Sequence, residues 1–168
     1  MMYYSVYGKN LVDEPFVKWD NGPVSMEVYK GYRYGDLDRN TSRLSDITNK
    51  LVVQVLNIVN YVYAYLSGYE LSEESHKISI WRDAKKNDCL RFENLSENEK
   101  KYMNSIFNMN KDIDFDNIGV EKINDNMYYY DKNNMKLDDE IIQELSAIPK
   151  SPDKVTFLEM IDGELVFS

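Results

Sequence analysis

The run ITNKLVVQVLNIVNYVYAYL, Ile47 to Leu66, carries too many apolar residues for one helical stripe. Its β-branched residues Val52, Val53, Val55, Ile58, Val59 and Val62 suit a strand equally well. The absence of any turn signal over about twenty residues favours a helix. A helix apolar nearly all round is a buried one, so this segment is expected to be the central core helix. Ser45 or Asp46 is expected to cap it, because a short side-chain oxygen accepts from the first free backbone N–H groups.

Ser67-Gly68 ends the run. Beyond it, LSEESHKISIWRDAKK (Leu71 to Lys86) reads as two short helices, Leu71–Lys77 capped by Ser72 and Ile80–Lys86 introduced by Ser79. Ser96-Glu97-Asn98-Glu99 has the spacing of a capping box and predicts a helix to about Met109, with Tyr102, Ile106 and Met109 on one face. Upstream, Gly35–Ser45 is a polar loop. Pro23, lacking an N–H that a first helical turn would leave unpaired, is expected to start a helix through Tyr32, with Val24, Val28 and Tyr32 aligned. Leu11–Trp19 reads as an extended or irregular connector around Pro15, and Met1–Tyr7 as one or two helical turns too short to stand alone.

After Asn110 the chain turns rich in Asp, Asn and Tyr. Met127–Tyr130 reads as a short strand and Leu137–Ser146 as a short helix with acids in its first turn. Lys154–Ser168 reads as a β-hairpin about Asp162-Gly163, a pair suited to two positive φ angles. The expected architecture is therefore mainly α. A helical, bundle-like core covers residues 1–110, and an α+β extension, residues 111–168, packs on it and ends in the hairpin.

The net charge is −9. Residues 1–95 hold 12 basic against 13 acidic groups, and residues 96–168 hold 8 against 16, so the acidity belongs to the C-terminal part. That balance argues against direct binding of phosphate backbones and allows a basic protein partner or mimicry of a nucleic acid, a solvated acidic surface being its commonest meaning. One cysteine, Cys89, excludes an internal disulfide and fits a reducing cytoplasm. No membrane span or signal peptide is read.

The only histidine, His76, lies five residues from Trp81. A general base needs a nucleophile and an orienting group, and no hydrolase signature surrounds it. The pair is expected to pin two short helices to the core, each ring N–H meeting a backbone carbonyl. No enzyme activity and no cofactor are expected. Asp112, Asp114 and Asp116 have the spacing that opens a calcium loop, but Ile123 stands where the bidentate Glu belongs, so no metal is assigned. Cys89, near Lys85, Lys86 and Arg91, has no second histidine to act as its base. The partner-binding candidates are Tyr32, Arg33 and Tyr34, with the acids Asp112, Asp114, Asp116, Asp138 and Asp139.

Two islands carry a family resemblance. The first runs from Leu11 to Tyr29 and includes Trp19, Gly22-Pro23-Val24 and Glu27-Val28-Tyr29. The second is Leu71-Ser72-Glu73-Glu74-Ser75-His76 followed by Trp81. In this order, separated by a long helix, they resemble the Panacea domain, the SocA-like antitoxin family also known from phage-associated GepA-type proteins. The match covers about Tyr3 to Lys86, half the chain. It departs from the family in its short first helix and in Ser75, where Thr is commoner. The resemblance implies an all-helical, non-enzymatic module that binds and neutralises a toxin protein. SocA itself is known as an adaptor delivering its toxin to a Clp-type protease. A second reading, motivated by the acidic C-terminal part, is a phage or mobile-element inhibitor of a host nucleic-acid enzyme.

Overall fold

The computed structural model describes residues 1–35, 47–151 and 155–167. The expected caps Ser45 and Asp46, and all of the polar loop beyond Gly35, lie outside the described residues. The chain divides into two units, Met1–Asp112 and Ile113–Ser168. The expectation of a mainly helical protein is overturned. Among the described residues, seven α-helices accompany a three-stranded and a four-stranded sheet, which makes the fold α+β.

In the first unit, β1 (Phe16–Trp19) and β2 (Gly22–Ser25) form an antiparallel hairpin in which Trp19 faces Gly22. A third strand, β3 (Cys89–Leu90), joins the other side of β1. Pro23 thus sits in a strand and starts no helix. The missing N–H that makes proline acceptable in a first helical turn is equally acceptable on an edge strand, and β2 is an edge. The helix begins three residues later. In α2 (Met26–Arg33) the cap is Ser25, whose Oγ accepts from the Val28 N–H at 3.1 Å. Val28 and Tyr32, expected on a buried face, are exposed, and Val24 belongs to β2.

The apolar run becomes α3 (Lys50–Tyr63), shorter than expected and capped by Asn49, whose Oδ1 accepts from Leu51 and Val52. It is not buried all round. Val55 and Ile58 enter the core while Leu51 and Leu56 stay exposed. A fully buried Ile side chain contributes about 1.5–3 kcal/mol, so two such positions are enough to seat the helix. The helix α1 (Met2–Tyr7) is too short to persist alone. It is held because Met2 and Tyr3 are buried and its side chains meet α6 (Glu97–Asn110). The Asn104 amide donates to the Ser5 carbonyl at 3.1 Å, and the Tyr7 ring meets Phe107 edge-on at 6.1 Å. Buried Leu90, Leu95, Met103, Ile106 and Phe107 complete this core. Tyr102 and Met109, expected on the same apolar face as Ile106, are exposed instead.

Between these helices lie α4 (Gly68–His76) and α5 (Ser79–Arg82). The cap of α4 is not Ser72 but Ser67, which forms a reciprocal capping box with Glu70. Ser72 therefore falls inside the helix. The expected helix Ile80–Lys86 is a single turn ending at Arg82.

The second unit runs β4 (Ile118–Ile123), β5 (Asn126–Asp131), α7 (Asp139–Ala147), β6 (Thr156–Ile161) and β7 (Glu164–Phe167), in sheet order β4-β5-β6-β7. The β5–β6 pair is parallel, with α7 in the crossover, and the other two pairs are antiparallel. The expected hairpin is present, with Asp162 and Gly163 at φ 54° and 84°. A second hairpin turns at Asn124-Asp125, φ 48° and 64°, and supplies β4, which the sequence reading missed. Tyr128, Met135, Leu145 and Leu158 form the core against Ile141, Ile148 and Leu165. Buried Asn126 is fully engaged. Its amide donates to Pro149 O and Tyr128 Oη, and its Oδ1 accepts from the Ser151 N–H at 2.7 Å. Gly119 pairs with Tyr130, and a Cβ there would lie inside the tyrosine ring's van der Waals surface. No helix among the described residues is long and apolar enough to cross a membrane by itself.

Candidate functional site

The two sequence islands meet. Lys18 of β1 reaches across to α5, where its Nζ donates to the carbonyls of Ala84 at 2.8 Å and Arg82 at 3.4 Å. The same ammonium sits 4.1 Å from the centroid of the Trp81 ring, a cation–π arrangement. Trp81 in turn stacks on His76, with ring centroids 3.8 Å apart and planes 19° from parallel. Gly22, at φ +124°, brings the start of β2 against α4, where a Cβ would meet Ser75 Oγ at 3.1 Å. Trp19 packs edge-on against Tyr29 at 4.8 Å, which ties the hairpin to α2. Glu14 adds a lock. It accepts from the Glu27 N–H at 2.6 Å and from Ser25 Oγ at 2.7 Å, and these bonds hold its carboxyl below the usual range. Trp19, Gly22, Pro23, Val24, Tyr29, Ser72, His76 and Trp81 all lie in β1, β2, α2, α4 and α5 of this first unit.

The junction is built as a brace. The stack of His76 on Trp81 joins α4 to α5, but among the described residues neither ring finds the expected carbonyl. His76 Nε2 lies 3.2 Å from Ser72 Oγ and Nδ1 lies 3.6 Å from Glu73, while the buried Trp81 Nε1 has no hydrogen-bond partner among the described residues. Ser, His and Glu in contact are the ingredients of a hydrolytic triad. Here they are i, i+4 and i, i+3 neighbours on one helix, the spacing at which any side chains touch. The α4 amides around Ser72 belong to the helix's own ladder, so they supply no oxyanion donors there.

A second node was half visible in the sequence. The capping box of Ser96 and Glu99 opens α6 as expected, and the same carboxylate also accepts from Ser79 N–H at 2.5 Å and Ser79 Oγ at 2.6 Å. With Ser96 N–H at 2.8 Å and Ser96 Oγ at 2.7 Å, Glu99 receives four hydrogen bonds. Burial alone would raise its pKa, but the bonds from Ser79 and Ser96 outweigh it and bring the carboxyl down to about 2. Glu99 therefore joins the start of α5 to the start of α6.

Next to this node a cavity of about 520 Å³ opens between α3, α4 and α6, with the start of α1 on its wall. Met2, Val59, Ile78, Leu95 and Met103 form its apolar floor. Tyr63, Tyr102, Glu74 and Lys77 stand at its polar part, where Lys77 Nζ pairs with Glu74 at 2.5 Å. Burial, followed by the neighbouring Tyr102 hydroxyl, pushes the Tyr63 phenol up to about 12. None of these four was singled out from the sequence. The signal was weak, since Tyr63 looked like one more apolar residue of α3 and Tyr102 like a core position.

The partner-binding candidates are dispersed. Tyr32, Arg33 and Tyr34 are exposed at the end of α2, the two tyrosines at 77% and 74%. Asp112 closes the first unit. Asp114 and Asp116 belong to the second, Asp114 just before a short 3₁₀ turn and Asp116 within it, and Asp114 accepts from the Asn117 amide at 2.6 Å. Asp138 caps α7 by accepting from the Ile141 N–H at 3.0 Å, with Asp139 as the first helical residue. Among the described residues no three His, Cys, Asp or Glu side chains converge as metal ligands would. Cys89 is a free, exposed thiol in β3. Comparison with protein-family models, curated proteins and solved structures finds no match to the chain.

Proposed function

We propose that this chain is a non-enzymatic, cytoplasmic binding protein of antitoxin type, which grips and neutralises a partner toxin. Delivery of that toxin to a Clp-type protease belongs to the same reading. The resemblance of the two islands to the Panacea domain motivates it. The observation that carries it is the exposed Tyr32-Arg33-Tyr34 end of α2, held by the Glu14–Ser25 lock on a hairpin that β1 ties to α5. Tyr and Arg on a preorganised element are the residue types that dominate interface energetics. The lone imidazole, stacked on the Trp81 indole of α5 and held by Ser72 and Glu73 of its own helix, supports a structural role for His76.

Co-expression tests the proposal. A neighbouring open reading frame that arrests growth alone should be rescued by this chain, and rescue should weaken with Tyr32→Ala and Tyr34→Ala. If no neighbour is toxic, or if rescue fails, the reading falls. The alternative, an inhibitor that imitates nucleic acid through its acids, draws only on the charge of residues 96–168. Asp138 and Asp114 already serve as helix cap and turn acceptor, which weakens it.

A further inference from the structure

Resting on the protein-binding reading, we infer that the cavity between α3, α4 and α6 seats a partner segment carrying an apolar anchor followed by Lys or Arg. A volume of about 520 Å³ lies in the range of sites that enclose a ligand, and its floor is aliphatic side chains and methionine. The mouth has the chemistry of a cation site, with two phenol rings, Tyr63 and Tyr102, beside the Glu74 carboxylate. The chain's own Lys77 now holds that carboxylate, but its side chain is 68% exposed and on a flexible stem. A partner's Lys or Arg can take its place because the apolar anchor that arrives with it buries area on the cavity floor that Lys77 does not, and a guanidinium adds a bidentate contact and ring stacking. The surrounding charge agrees. Along α4, with the Lys77 that caps it, and α6, five carboxylates, Glu70, Glu73, Glu74, Glu97 and Glu99, outnumber three ammonium groups, Lys77, Lys100 and Lys101, and of the five Glu74 and Glu99 line the cavity. Exposed Leu71 and Tyr102 give the rim the apolar and aromatic surface that shields an anchor from water.

Three fluorescein-labelled amphipathic peptides test this on the full chain by anisotropy at physiological salt, one of Leu and Lys, one of Ala and Lys, and one of Leu and Glu. The Leu/Lys peptide should bind, and the other two should bind at least about 10-fold more weakly. Glu74→Gln and Tyr102→Ala, both at exposed positions that leave the fold intact by circular dichroism, should weaken the Leu/Lys peptide about 5- to 10-fold. Glu140→Gln in the second unit should leave it unchanged. Equal binding of the Ala/Lys peptide, or equal losses from Glu140→Gln and Glu74→Gln, would mean mere charge attraction and overturn the inference. So would self-association that Tyr102→Ala abolishes, since the occupant would then be a second copy. Rescue of a toxic neighbour that survives Glu74→Gln and Tyr102→Ala sinks the cavity but keeps the antitoxin reading. Absence of rescue by the wild type removes that reading while leaving the peptide result in force.

Discussion

Replacing Glu99 with Gln should uncouple the starts of α5 and α6 in a pH-dependent way. The carboxylate accepts from Ser79 and Ser96, each through N–H and hydroxyl. Oε1 accepts from the Ser79 N–H alone and Oε2 accepts the other three bonds, so a glutamine that keeps its oxygen at the Oε2 position turns its NH2 toward the Ser79 N–H, loses that bond and weakens the rest. The drop of the Glu99 pKa from its ordinary 4.5 to about 2 corresponds to about 3 kcal/mol, and screening at a partly exposed carboxylate reduces this to about 2 kcal/mol. The sign follows from the direction. A depressed folded-state pKa gives stability that is present above 4.5 and lost as the pH falls through 4.5 toward 2. Urea unfolding followed by Trp fluorescence reads the first unit, because Trp19 and Trp81 both belong to it. At pH 7 the variant should unfold about 1 M urea earlier than the wild type. The gap should close toward pH 2.5, and other carboxylates cancel because both proteins share them. A gap below about 0.5 kcal/mol at neutral pH, or one that does not change with pH, would refute the assignment of Glu99 as the link.

Three further outcomes are expected. Ser67→Ala should destabilise the first unit by about 1 kcal/mol by removing the α4 cap, whereas Ser72→Ala should cost less than about half that; the reverse order in urea melts would restore the cap to Ser72. Gly119→Ala should cost about 2 kcal/mol or more by driving a methyl into Tyr130, and much less in a Tyr130→Ala background, as read by thermal melting of tyrosine circular dichroism. His76→Gln should shift Trp81 fluorescence and lower stability by about 1 kcal/mol while leaving toxin rescue intact; loss of rescue in a variant that remains folded would point to chemistry at the imidazole.

What could be read from the chain alone was what acts within a few residues. Ser96 and Glu99 satisfy each other across three positions, Asp162-Gly163 accepts positive φ in either order of folding, and the acids before Ile141 mark a helix start whatever surrounds them. The same local rules misplaced the cap of α4 by one choice of serine and started a helix at Pro23. Proline's missing N–H is compatible with two environments, and only the availability of β1 as a pairing partner decides between them. The two neighbours of β1 lie at very different distances along the chain, Gly22–Ser25 immediately after it and Cys89–Leu90 some seventy residues later. Lys18 reaches Ala84 across 66 positions. The sequence by itself determined the charge division, the lone imidazole, two helix starts and one hairpin. Tertiary structure alone decided that the first unit holds a sheet, that the two islands touch, that Glu99 serves two helices and that a cavity opens beside it. Each of these needs groups remote in sequence to be brought together, and pairing at that range is set by which edges and faces remain uncovered once the local elements have formed.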